Sequence, residues 1–145
     1  MYKFDLEPVL NHRRYQEEIL QKKLAESRKR LTAEQKKLRE LKEKKREYAH
    51  TLRSLQRQAG TVSDLILYLR YLDRLSKEID HQKQKTIVAE KEFDQKRNDL
   101  IEVLKKRKIL EKLKEKAWKT HQQQMLKNER KFMDEVAVKQ FSSRS

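Results

Sequence analysis

Residues 55–75 read LQRQAGTVSDLILYLRYLDRL, a stretch that sets the chain's only glycine, Gly60, directly before its densest apolar block. Glycine readily takes the left-handed conformation that ends a helix, and Thr61 or Ser63 can cap a new helix with Asp64 in its first turn. A reversal over residues 60–64 is short. Between two long amphipathic helices, so short a connection forces them to lie antiparallel.

Upstream of Gly60 the apolar residues recur in sevens. One series runs Leu10, Glu17, Leu24, Leu31, Leu38, Lys45, Leu52 and Ala59, and its companion runs Leu6, Arg13, Leu20, Ser27, Glu34, Leu41, Tyr48, Leu55 and Val62. This a/d seam, sustained over about eight heptads, is the pattern of one long coiled-coil helix. Arg13, Glu17, Ser27, Glu34 and Lys45 interrupt it, and polar seam residues act as register devices that lower stability while excluding other pairings. Asp5 can cap the start and Pro8 falls in the first turn, where its missing N–H costs nothing, so the first helix is predicted from about Asp5 to Ala59.

Composition agrees with helices and little else. The 145 residues are 35% hydrophobic and 42% charged, with one Gly and one Pro, too few apolar side chains for a large globular core and too few turn residues for a sheet. Disorder is the alternative at this hydrophobicity, but a disordered chain has no reason to space its leucines. Cysteine is absent, which excludes disulfides, thiol chemistry and zinc sites of the cysteine type. No apolar run reaches the roughly 18 residues of a membrane span, and the N-terminus lacks a secretory pattern, so a soluble cytosolic protein is expected.

Downstream, the second helix repeats through Leu72, Ile79, Thr86, Phe93, Leu100 and Arg107, with Leu75, Gln82, Ala89, Lys96, Val103, Leu110 and Ala117 as companions. After Val103, Leu104, Leu113 and Trp118 suggest that the stripe moves sideways. With the turn near residue 62, Leu31 pairs with Phe93, Leu24 with Leu100 and Glu17 with Arg107. The second helix is predicted from Asp64 to about Gln140. At 1.5 Å per residue it measures about 115 Å against about 80 Å for the first. It therefore overhangs. Beyond about His121 it carries Met125, Phe132, Met133, Val136, Val138 and Phe141 with no intrachain partner, either a fraying tail or a face to be buried in another protein. The whole, residues 1–145, reads as a single all-α domain: a long antiparallel two-helix coiled coil, or helical hairpin, with an overhanging C-terminal helix.

The block after Gly60 fills more than one helical face. Leu65, Leu69, Leu72 and Leu75 can pack inward, which leaves Tyr68, Tyr71 and Leu67 for an outward patch beside Leu41 and Tyr48. Tyrosine serves either packing near the turn or an interface, because it buries a large area with little rotamer loss.

A net charge of +15, concentrated in KKLRELKEKKR (36–46) and KKRKILEKLKEKAWK (105–119), admits salt-sensitive binding to polyanions. No nucleic-acid motif accompanies it and acidic residues are interspersed, so a solvated coiled-coil face or a match to an acidic partner fits better; a basic nucleic-acid-binding or scaffolding coiled coil is the alternative function. Catalysis has no footing. His12, His50, His81 and His121 form no ligand pair, there is no phosphate loop, and a two-helix hairpin offers no pocket; Asp134 and Glu135 are adjacent and diverge by about 100° around the helix. Neither enzyme activity, nor a metal, nor a cofactor is expected.

Three stretches together resemble the FliJ family of flagellar type III export proteins: FDLEPVLNHRR (Phe4, Leu10, Arg13), YLRYLDRLSKEIDHQ (Tyr68, Tyr71, Leu72, Leu75, Ile79, Gln82) and FMDEVAVKQF (Asp134, Glu135, Ala137, Phe141). The resemblance covers nearly the whole chain, and the terminal Asp-Glu with Ala and Phe downstream is its most specific part. Injectisome stalk proteins share the architecture. The resemblance implies a non-catalytic stalk in bacterial flagellum biogenesis and protein export, and so in motility and chemotaxis. It implies a cytoplasmic protein peripherally associated with the inner-membrane flagellar base. Its implied partners are the export ATPase hexamer, the cytoplasmic domain of the export gate, and export chaperones with their substrates. On that basis Met125, Phe132, Met133, Asp134, Glu135, Val136 and Phe141 would dock on the ATPase ring, and Leu41, Tyr48, Tyr68, Tyr71 and Leu75 would contact the gate. Lys44 and Glu78 would make that gate surface more charged than in a cleaner family pattern.

Overall fold

The computed structural model describes residues 2–58 and 61–144. The fold is an all-α helical hairpin: α1 spans Glu7–Arg57 and α2 spans Val62–Arg144, with no strand among the described residues. Their 51 and 83 residues correspond to about 75 Å and about 125 Å of helix.

Helix α1 is entered through a turn that the Glu7 N–H closes on the Phe4 carbonyl at 3.0 Å. Pro8 falls in the first turn, where no intrahelical acceptor awaits its absent N–H. Among the described residues Asp5 makes no capping hydrogen bond, so the backbone turn replaces the side-chain cap expected there. At the start of α2 the cap is Thr61: its Oγ1 accepts from the Asp64 N–H at 3.3 Å and its carbonyl from Leu65 N–H at 3.2 Å. Asp64 adds a negative charge to the first turn, where the helix dipole favours it. Gly60 and Ala59, on which the sequence places the reversal, lie outside the described residues.

The chain forms two compact units, Met1–Glu18 with Ile101–Ser145, and Ile19–Leu100. In the Ile19–Leu100 unit the core comprises Leu52, Leu75, Ile79 and Ala89, with the buried polar Gln82. These are seam positions, and Leu24, Leu31, Leu38, Phe93 and Leu100 are half-buried along the same stripe. Two helices can cover only one side of each other, so full burial is rare and the seam is mostly half-covered. Gln82 is compatible with burial because its amide donates to the Glu34 carbonyl at 3.1 Å and to the Glu34 carboxylate, joining two polar seam residues in one layer.

In the other unit Leu10 is fully buried, with Val103, Leu104, Leu110 and Ala117 half-buried. Ion pairs frame this packing. Arg107 meets Glu17 across the helices and donates from Nη1 to Glu111 at 2.8 Å, Arg14 approaches Glu111 at 3.7 Å, and Lys114 pairs with Glu7 at 2.8 Å. Contact between Arg107 Nε and Glu17 is an ion pair without hydrogen-bond alignment. The half-buried stripe of α2 continues in heptads through Arg107, Leu110, Lys114, Ala117 and His121, while Leu113 is 44% exposed. The sideways step expected after Val103 therefore does not occur there. Long cationic side chains keep the seam by burying their stems and pairing their heads with α1 carboxylates.

Candidate functional site

The first candidate surface is the end of α2. Tyr2 reaches it from the N-terminal side, packing edge-on against Trp118 at 5.4 Å and at a tilt against His121 at 4.7 Å, with Trp118 and His121 6.1 Å apart. Beyond His121 every position through Ser143 is exposed except the half-buried Val136. Met125, Phe132, Met133 and Phe141, four of the residues assigned by resemblance to ATPase docking, are 52%, 64%, 67% and 78% exposed. Asp134 and Glu135 are exposed too, and with Val138 and Lys139 they line a shallow open depression.

The face these residues occupy differs from the hairpin seam. Continued in sevens, the seam reaches Gln124, Asn128, Lys131 and Glu135, all polar, before it meets Val138. The apolar residues follow another series, Trp118, Met125 and Phe132, flanked by Leu126 and Met133. The step to e and f positions turns the apolar face by roughly a third of a revolution. A longer first helix on the same seam would thus meet polar side chains from Gln124 through Glu135. Leu126, 57% exposed, and Trp118, 44% exposed, belong to this face although neither was singled out as a docking residue. The heptad spacing of Trp118 with Met125 and Phe132, and of Leu126 with Met133, is the signal that could have found them.

The second candidate surface is the aromatic cluster in the Ile19–Leu100 unit. Tyr48 of α1 lies 4.4 Å from Tyr71 and 6.2 Å from Tyr68 of α2, ring centre to ring centre. Proximity of the Tyr71 phenol and a hydrogen bond with it push the Tyr48 pKa up, with burial adding to the shift and Lys44 opposing it. The three tyrosines are half-buried, as is Leu41; Lys44 and Glu78 are exposed. Leu75 is a correction: only 2% exposed, it belongs to the core and has no surface to offer a partner. Leu69, expected inward, is 54% exposed, and Val62, Ile66 and Leu67 are exposed with it. Nearly every position of this block is apolar, so composition alone could not tell which phase faces α1.

No group of three or more His, Asp or Glu side chains that could hold a metal exists among the described residues. His12, His50 and His81 are exposed, and His121 is half-buried in its ring contacts. No described helix is long and apolar enough to cross a membrane.

A family model described as "Flagellar FliJ protein" matches residues 2–145. A search among curated proteins returned no match. Among solved structures, a protein assigned as a YscO homolog, CT670 of Chlamydia trachomatis, is similar over 100% of this chain and 99% of its own, with a TM-score of 0.77 and 24% identity. At that identity the likeness speaks to the two-helix fold alone.

Proposed function

The chain belongs to the flagellar FliJ family, and on that premise we propose that it is a non-catalytic, stalk-like component of the flagellar type III export apparatus. It engages the hexameric export ATPase through the end of α2. It meets the cytoplasmic domain of the export gate through the surface around Tyr48, Tyr68 and Tyr71, and escorts export chaperones. Its place is cytoplasmic, at the periphery of the inner-membrane flagellar base.

One observation carries this reading: past His121, α2 presents Met125, Leu126, Phe132, Met133 and Phe141 to solvent with no partner from α1. Large apolar side chains on one helix end are stable in water at a cost, and a groove or ring that buries them removes that cost. The three tyrosines support the second contact, because their rings pack together at tilted angles across the two helices and stay only half-buried.

Deleting residues 122–145 tests the first contact. Far-UV circular dichroism should still report a helical hairpin, while binding to the ATPase ring and stimulation of its hydrolysis should be lost; unchanged binding would sink the assignment. For the gate, Tyr68→Ala with Tyr71→Ala should weaken binding with helicity retained. Loss of helicity instead would return the tyrosines to packing.

A further inference from the structure

Within the Ile19–Leu100 unit, a second surface lies opposite the tyrosine cluster. Arg46, Arg53 and Arg57 recur along α1 at i, i+7 and i+11, and Val62, Ile66 and Leu69 recur along α2 at i, i+4 and i+7, so each trio forms one ridge. The Arg30–Glu92 ion pair at 2.7 Å and the Tyr48–Tyr71 contact mark one side of the antiparallel pair. On both helices the two ridges lie past the seam in the other rotational sense, and so share the other side. The Tyr48–Tyr71 contact also sets the level: Arg53 falls opposite Ile66 and Arg57 opposite Val62.

Both ridges are unsatisfied. The three arginines are exposed and their side chains make no ion pair or hydrogen bond among the described residues, and Val62, Ile66 and Leu69 are 72%, 44% and 54% exposed. Level with Arg46, Asp73 is paired with Lys77 at 3.2 Å. Farther from the turn, toward Arg39 and Lys42, this side of α2 carries Asp80, so the cationic excess is greatest beside the apolar ridge.

We propose that these two ridges form a docking groove for an acidic amphipathic helix of a partner protein. A third helix lying along an antiparallel pair packs apolar side chains against one ridge while its flank faces the other. Here that arrangement sets its leucine-like row on Val62, Ile66 and Leu69 and its carboxylates on Arg46, Arg53 and Arg57, whose guanidinium forks match carboxylates bidentately. A bilayer surface fits less well. The aliphatic row is a single file, and the aromatic side chains that favour headgroup depth, Tyr68 and Tyr71, are engaged with Tyr48 on the opposite side. Nucleic acid would satisfy the arginines and leave the aliphatic ridge in water.

The test uses the full chain and two labelled synthetic helices, one with leucines at a and d and glutamates flanking them, the other with lysine at every glutamate position. Fluorescence anisotropy should show binding of the glutamate helix, weakened by salt, and none of the lysine helix. Arg46→Gln with Arg53→Gln and Arg57→Gln should weaken binding about tenfold, as the loss of three exposed charge contacts implies. Ile66→Ser with Leu69→Ser should weaken it as well, each variant retaining wild-type circular dichroism. Equal binding of both helices, no binding of the glutamate helix, or undiminished binding by the arginine variant would overturn the proposal. So would binding to phosphatidylglycerol–phosphatidylcholine vesicles or to a DNA duplex by wild-type chain that ignores the glutamate helix.

Discussion

Glu17 on α1 and Arg107 on α2 meet as an ion pair at polar seam positions of both helices, with side chains only 15% and 21% exposed. Glu17 would be an intruder in an apolar seam, and Arg107 likewise; opposite each other they make one layer that tolerates no neighbouring register. Slipping by one heptad would set each against a different residue and leave a half-buried charge without its partner. Glu111 reinforces the layer by accepting from Arg107, and its pKa is lowered chiefly by that hydrogen bond.

Reversing one charge should therefore cost more than reversing both. Glu17→Arg places two guanidinium groups together and is expected to destabilise the hairpin by about 1–3 kcal/mol. Adding Arg107→Glu should recover much of that loss, although Glu111 then faces a carboxylate and keeps recovery incomplete. Thermal unfolding of the two single variants and the double variant measures the coupling. Additive losses would show that the pair does not set register.

Acid should weaken this layer in a defined direction. The folded-state pKa of Glu111 lies below the ordinary 4.5, through the Arg107 hydrogen bond first and its charge next, with burial opposing. Its contribution is fully present above the unfolded-state value and disappears as pH falls through the lower folded-state value. Glu34 behaves alike, held down chiefly by its hydrogen bond from Gln82. Stability measured by urea unfolding should be flat from neutral pH down to about 5 and fall below it. In Glu111→Gln the fall should be shallower.

The Glu17–Arg107 layer was legible in the sequence, because a turn near residue 62 sets the two opposite each other, and the greater length of α2 implied an extension past His121. Nearer the turn that register does not hold: it sets Tyr48 level with Ser76 and Glu34 with Glu90, whereas Tyr48 meets Tyr71 and Glu34 meets Gln82. Other features were not legible. Leu69 and Leu75 are the same residue type in one apolar block, yet one is 54% exposed and the other 2%, because phase against α1 decides burial and a block apolar on nearly every side conceals its phase. Leu113 misled for the reverse reason, since the seam ran on through Lys114, a residue type that patterning assigns to solvent. Tyr2 lies before any helical period, so its packing on Trp118 had no repeat to announce it.

Burial and exposure along α2 should separate stability from partner binding. Leu75→Ala removes a core side chain and is expected to cost about 2–4 kcal/mol, because two helices leave little freedom to close the gap. Phe132→Ala, on a side chain 64% exposed, should change stability by less than about 0.5 kcal/mol. Urea unfolding followed by circular dichroism measures both. A large loss for Phe132→Ala would mean that the end of α2 is covered in the isolated protein.

The turned face of α2 beyond His121 makes a sharper demand on the proposed ATPase contact. If the partner followed the hairpin seam, Asn128 and Lys131 would lie at its centre; if it follows the apolar series, Met125 and Phe132 do, with Trp118 at the inner edge. Burying a carboxylate against an apolar wall costs several kcal/mol, so Met125→Glu with Phe132→Glu should abolish ring binding while leaving the hairpin intact. Asn128→Ala with Lys131→Ala should leave binding within about threefold, since exposed polar contacts contribute little. Ring binding measured by surface plasmon resonance, with circular dichroism as the folding control, separates the alternatives. The opposite ranking would place the partner on the seam and make the apolar turn of α2 incidental to export.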